Sequence, residues 1–151
     1  MSQYKGRAHH KMDAKGRVSL PAKYRSKLAA SDLVIVPGTD DCLWLYTEEG
    51  YEKLIEPIEQ NPFDPAMDRL RDLYISGAED IEVDSAGRIR VSSEHRAYAN
   101  LDKEVTIAGK GARLELWDTQ AYQQRLQGID RKAALKVLTG EQDSPTQKDG
   151  N

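Results

Sequence analysis

This sequence predicts a mainly β chain with short helices, an α+β fold in which two copies of one unit interlock. Three observations carry that expectation. The chain repeats itself without a gap at an offset of 71: Asp13, Gly16, Arg17 and Arg25 return as Asp84, Gly87, Arg88 and Arg96, and Val34/Val105, Leu43/Leu114, Leu45/Leu116 and Tyr51/Tyr122 stay in step. A fixed offset marks one supersecondary unit used twice, and two copies are too few for a solenoid, so an intramolecular pseudo-twofold is expected. The apolar segments are also short, alternate at the period of a strand, and are bounded by Gly, Pro and Asp. Finally, neither half has a large helix-on-sheet core of its own, so each hairpin is expected to pair with strands of the other half.

Taken in order, residues 5–12 alternate Ala8, His10 and Met12 against Arg7, His9 and Lys11, as a strand does. Asp13-Ala14-Lys15-Gly16 is a turn, with Asp suited to its first position and Gly supplying a positive φ. Val18 and Leu20 alternate with Arg17 and Ser19 in the returning strand, and Pro21 opens a short helix with Tyr24 and Leu28 four apart. Strands at 33–36 and 43–46 flank a Pro-Gly loop at 37–41. Tyr51, Leu54, Ile55 and Ile58 mark a helix that Asn61-Pro62 breaks. Asp64-Pro65 opens the next, with a stripe of Met67, Leu70, Leu73 and Tyr74.

The second copy starts at Gly77. Ile81, Val83, Ile89 and Val91 point inward there, strands follow at 104–108 and 113–117, and a helix covers 119–127. A last helix begins at Asp130 with Leu135 and Leu138 as its apolar contacts. The expected layout is a first unit over 4–51, a helical linker over 52–76, a second unit over 77–122 and a helical region over 123–139. The tail, 140–151, has no apolar residue and is expected to be disordered. The turns at 13–16 and 84–87 are expected to lie side by side across the pseudo-dyad.

Composition narrows the function. The 151 residues are 38% hydrophobic and 31% charged, which describes a soluble, rather polar chain. No apolar run approaches the roughly 20 residues of a membrane span, and a single cysteine fits a reducing cytoplasm. The net charge of −3 hides a strong asymmetry: through residue 28 there are eight cationic residues and one acid, Asp13, a net +7. A basic face on an otherwise acidic body is the electrostatic footprint of a nucleic-acid binder.

The basic hairpin is the leading candidate site. Arg7, His9, Lys11, Arg17 and Ser19 share one parity class, Lys15 stands at the turn tip, and a two-stranded ribbon fits a major groove about 12 Å wide. Arginine can fork onto guanine, whereas lysine and the first-turn amides near Pro21 suit phosphates, and Lys23 and Arg25 are counted with Arg7, Lys11, Lys15, Arg17 and Arg88 as DNA-binding residues. Asp13 with Gly16 and Asp84 with Gly87 are read as turn-builders. The second hairpin is weaker, since Ala86 replaces Lys15, although Arg88 and Arg90 can reach a phosphate.

Enzymatic readings fare badly. Cys42 sits in an apolar strand with no histidine near it in sequence, which suits a core thiol. His9 and His10 point to opposite strand faces and cannot share a metal, and Gly109-Lys110-Gly111 is too short for a phosphate loop. Trp44, Tyr46, Trp117 and Tyr122 read as core or interface aromatics. No catalytic residue, cofactor or metal is expected. The competing reading is a protein-interaction module, antitoxin-like or scaffold.

Strand–DxKGRxxLP–helix at 13–21, repeated as DxxGR at 84–88, resembles the AbrB/SpoVT DNA-binding half-unit, and two such units in one chain resemble the MraZ family. The likeness covers roughly residues 4–138, including the LELWD strand at 114–118. It implies tandem swapped-hairpin units forming a pseudo-twofold β-barrel. It also implies a bacterial transcriptional repressor, cytoplasmic and nucleoid-associated. Such a protein binds promoter direct repeats of the division and cell-wall gene cluster, its own gene included, as a ring-shaped, octamer-like homo-oligomer. The family's DxxxR motif falls on Asp13 and Arg17 and on Asp84 and Arg88. His10 and Met12 depart from aliphatic strand positions, and Ser92-Ser93 replace a proline start, which suggests a less anchored second helix. The helices at 48–60 and 64–76 are the expected oligomer surfaces.

Overall fold

A computed structural model describes residues 3–141. The chain divides into two compact units, residues 1–119 and 120–151, so both copies of the repeat's strands fall within the first.

The first unit is built by exchange between the copies. β1 (Arg7–Lys11) pairs antiparallel with β7 (Glu104–Gly109), and β5 (Glu79–Ile81) pairs with β3 (Leu33–Pro37). β4 (Leu43–Thr47) and β8 (Leu114–Asp118) join the halves, giving a six-stranded sheet in the order β1-β7-β8-β4-β3-β5. β2 (Arg17–Ser19) leaves that sheet and pairs with β6 (Arg88–Arg90) in a separate ribbon. The expected pairing of each hairpin with the opposite half therefore holds. The expected closed barrel does not: among the described residues β1 and β5 are the free edges of an open sheet. The Asp-anchored turns swing β2 and β6 out of the ladder and lay them across it.

The pseudo-dyad can be read from register. Trp44 lies opposite Glu115 and Val18 opposite Ile89, and each pair consists of positions 71 apart. The axis thus passes through both ladders. Antiparallel pairing also corrects the placement of the turns. Gly16 lies beside Val91 and Gly87 beside Leu20, joined by Val91 N–H to Gly16 O at 2.8 Å and Leu20 N–H to Gly87 O at 3.0 Å. The turns therefore flank the ribbon at its two ends, four residues or about 14 Å apart, rather than touching.

Between ribbon and sheet lies one core, in which Val18, Leu20, Ile89 and Val91 pack on Ile35, Leu43, Leu45, Ile107 and Leu116. Each such side chain contributes about 1.5–3 kcal/mol by leaving water. Neither half could bury these residues alone, because each half's ribbon strand needs the other's for its hydrogen bonds. The opposite sheet face carries the buried aromatics Trp44, Tyr46 and Trp117. The fourth expected aromatic, Tyr122, is buried as well.

The helices follow local chemistry. α1 (Arg25–Ala29) is entered through a short 3₁₀ turn, Ala22–Tyr24, with no side-chain cap. α2 (Glu48–Glu59) is capped by Thr47, whose hydroxyl accepts from Gly50 N–H. α3 (Pro65–Arg71) starts at the Asp64 cap and runs into one wide π turn, Asp72–Ser76. That turn stacks Tyr74 on Trp44 at 5.6 Å and leaves Leu73, expected in the stripe, 53% exposed. α4 (Ser93–Tyr98) is the better anchored of the two equivalent helices, against expectation, because the Ser92 hydroxyl accepts from His95 N–H. A serine replaces the rigidity of proline with a capping bond.

The second unit holds most of α5 (Thr119–Gln127) and α6 (Arg131–Thr139), the latter capped by Asp130 and ended by Gly140 at φ 75°. Leu135 and Leu138, expected as contacts, are exposed. The tail expected to be disordered lies outside the described residues, except Gly140 and Glu141.

Candidate nucleic-acid interface

Because Val18 and Ile89 point into the core, their neighbours Arg17, Ser19, Arg88 and Arg90 project from the ribbon's other face. Arg17 stands opposite Arg90, and Ser19 opposite Arg88. Directly opposed Cβ atoms lie about 4.5–5.5 Å apart, and like charges there weaken a ladder. An anion laid across the ribbon would relieve that repulsion.

Two identical clamps fix the arginines. Asp13 Oδ1 accepts from the backbone N–H groups of Lys15 and Arg17, both at 2.9 Å, and Oδ2 from Arg17 Nε at 2.7 Å. Asp84 repeats this with Ala86 and Arg88 N–H at 2.9 Å and Arg88 Nε at 3.1 Å. Donation from the Arg17 backbone, aided by its guanidinium and by Lys15, holds the Asp13 carboxyl down at about 2. The Arg88 backbone, with Ala86, lowers Asp84 in the same way. Each clamp occupies only Nε, so the two terminal nitrogens of Arg17 and of Arg88 have no partner among the described residues. Those paired donors are what a guanine edge or a phosphate accepts from.

Each copy's helix supports the other's turn. Gly16 (φ 84°) and Gly87 (φ 77°) sit in the left-handed region. A Cβ on Gly16 would come 2.5 Å from Val91 O and 2.9 Å from Arg96 Nε, and one on Gly87 would come 2.7 Å from Arg25 Cδ. Arg25 Nε donates to Leu20 O at 2.9 Å, beside the end of β2. Arg90 Nε donates to Lys15 O at 3.2 Å, tying one copy's turn tip to the other copy's strand. The Lys15 side chain is exposed at that tip.

The predicted cationic set is thus divided. Lys15, Arg17 and Arg88 gather at the ribbon, and Arg25 stands behind the turn at Gly87. Lys23 Nζ is engaged with Lys5 O at 2.8 Å and lies 4.9 Å from the Tyr24 ring, holding the chain ahead of β1. Arg7 and Lys11 correct the single-faced hairpin. Their register with Ala108 and Glu104 places them on the sheet face of Thr106 and Trp117, away from the core face that the ribbon covers. β1 and β2 belong to different ladders, so their shared parity does not make a shared face. His9 is on the Arg7 side too, 2.8 Å from the Thr106 hydroxyl.

The halves also differ in charge. Glu79, Asp80 and Glu82 stand where the first copy has Ala8, His9 and Lys11, so phosphate is repelled from the second copy's edge. The support given by Arg25 and Arg96 escaped the sequence reading, although both lie at the same repeat position and a glycine in each turn signalled a close neighbour.

Cys42 is buried, its thiol donates to Thr39 O at 3.1 Å, and burial pushes its pKa up to about 12, so it is protonated at neutral pH. Among the described residues no three His, Cys, Asp or Glu side chains gather as metal ligands, and no helix is long and apolar enough to cross a membrane.

Known proteins match along nearly the whole chain. A family model described as "MraZ protein, putative antitoxin-like" matches residues 4–73 and again 74–137, the two copies of the repeat. The chain is 38% identical over 119 residues to the transcriptional regulator MraZ of Nitrosomonas europaea, covering 76% of this chain and 80% of that one. The Kocuria rhizophila regulator of the same name is 38% identical over 127 residues, 83% of this chain and 86% of the relative. That of Marinomonas sp. is 37% identical over 135 residues, 86% and 89% respectively.

Proposed function

The chain belongs to the MraZ family, and from that premise we propose that it is a sequence-specific, duplex-DNA-binding transcriptional regulator. It acts in the cytoplasm, at the nucleoid, as an autoregulatory repressor of the bacterial division and cell-wall gene cluster. It reads promoter direct repeats as a ring of like subunits, and the exchanged strand pairing is the swapped-hairpin arrangement of that family. The single observation that carries the reading is the ribbon on which Arg17 and Arg90 face each other, with Arg88 beside them and Lys15 at the tip.

The geometry supports a division of roles. Arg17 and Arg88, aimed by their aspartates, present forked donors to base edges, and Lys15 and Arg90 hold the flanking phosphates. Arg25 positions the turn that aims Arg88. Arg7, Lys11 and Lys23 contribute long-range attraction and contacts to the flanking backbone. One ribbon neutralises few phosphates and binds weakly at physiological salt, so repetition around an assembly multiplies the grip without new chemistry.

A footprint over the region upstream of the protein's own gene tests this. Protection of regularly spaced short repeats is expected. No protection there, together with a stoichiometric protein partner in a pull-down, would replace DNA binding with the protein-interaction reading.

A further inference from the structure

Two surfaces outside the ribbon complement one another. α6 carries Arg131, Lys132 and Lys136 and no acid over Arg131–Thr139. Its apolar side chains are bare: Leu135 is 57% exposed, and Val137 and Leu138 are each 82% exposed. Arg131, Leu135 and Leu138 recur at i, i+4 and i+7, so charge and apolar surface share one stripe. Nothing in the ribbon's chemistry uses this helix.

In the first unit, α2 and the neighbouring strands β3 and β5 enclose a groove of about 540 Å³. Glu48, Glu49, Glu52, Glu56, Glu59 and Asp80 rim it, with Lys53 as the one cation, over a lining of Val34, Tyr51 and Ile55. Six carboxylates against one ammonium leave the groove negative. Glu48 is pushed above the ordinary range, first by its contact with Asp32 and then by Asp32, Glu52 and Asp80 charge. Cations from outside would relieve that repulsion, and the groove's apolar lining matches the stripe on the helix.

We propose that α6 of one copy docks in the acidic α2 groove of the next, making a head-to-tail contact between copies of this chain. Acid and base lie on different elements, so a one-way contact is heterologous, and repeated from copy to copy it closes a ring. It deepens the assembly part of the reading above by naming the two faces.

Light scattering behind a sizing column tests it with the full chain, whose subunit is 17.0 kDa. Reversal of α6 charge (R131E/K132E/K136E) and of the groove (E52K/E56K) are each expected to drop the particle toward one subunit. The chain carrying both sets is expected to recover the larger mass, because the charges complement again. Circular dichroism checks folding, and Leu138→Asp serves as a second, single-site disruption of α6. If the α6 variants keep the wild-type mass, or if α6 reversal disassembles the particle while groove reversal does not, the pairing is wrong even though the protein assembles. A wild-type chain that runs as a monomer would overturn the pairing and the assembly reading together.

Discussion

Arg17 and Arg90 face each other across a two-stranded ribbon, one from each copy of the repeat, with the pseudo-dyad passing beside them through Val18 and Ile89. Folding brings like charges together here because the apolar partners on the other side of the ribbon must meet in the core. Asp13 balances the charge of Arg17, while Arg90 Nε is held by the Lys15 carbonyl, a neutral partner, so the pair keeps positive charge that an anion can meet.

A polyanion should therefore stabilise the folded chain through the ribbon. Thermal unfolding in phosphate or heparin is expected at higher temperature than in chloride of equal ionic strength. In Arg17→Ala/Arg90→Ala that difference is expected to disappear. An equal shift in the double variant would place the anion elsewhere.

The turn glycines should tolerate no side chain. Gly16→Ala adds a left-handed-region penalty and a Cβ at 2.5 Å from Val91 O, a combined cost of about 2–4 kcal/mol. Urea unfolding is expected to give this loss with an unchanged m-value. Gly87→Ala is expected to cost less, because the flexible Arg25 side chain it meets can shift.

Acid should undo the clamps. Both carboxyls titrate lower in the folded chain than in the unfolded one, Asp13 falling from 3.8 to about 2. Their stabilising contribution is therefore complete above about pH 4 and is lost as pH falls toward 2. The urea midpoint is expected to drop across that window, and Asp13→Asn/Asp84→Asn is expected to flatten the drop. A double variant with the wild-type pH profile would assign acid sensitivity to other groups.

Much of this fold was legible because the repeat constrains it twice. An offset of 71 aligns every strand with a partner, and Asp13-Gly16 with Asp84-Gly87 marks the turns in the sequence itself. Pairing of Arg7 and Lys11 with Arg17 on one face was misread, because strand parity fixes a face only within a single ladder, and β1 and β2 lie in different ones. Leu73, Leu135 and Leu138 were assigned to apolar contacts from helical spacing, yet a π turn displaces the first and the other two lie bare on α6. The ribbon's opposed arginines were hidden for a similar reason: Ser19 occupies the first-copy position of Arg90, so neither hairpin alone shows the cluster.

The most direct measurement is the affinity for duplex DNA carrying the protein's own upstream repeats, titrated over a series of salt concentrations. Wild type is compared with Arg17→Ala and with Arg17→Ala/Arg90→Ala. Each lost phosphate contact lowers the slope of log affinity against log salt by about 0.9, and a lost forked base contact weakens binding roughly 5- to 150-fold. A weaker affinity for Arg17→Ala and a shallower slope for the double variant are expected. Wild-type affinity with a wild-type slope in both would contradict the ribbon as the surface that grips DNA.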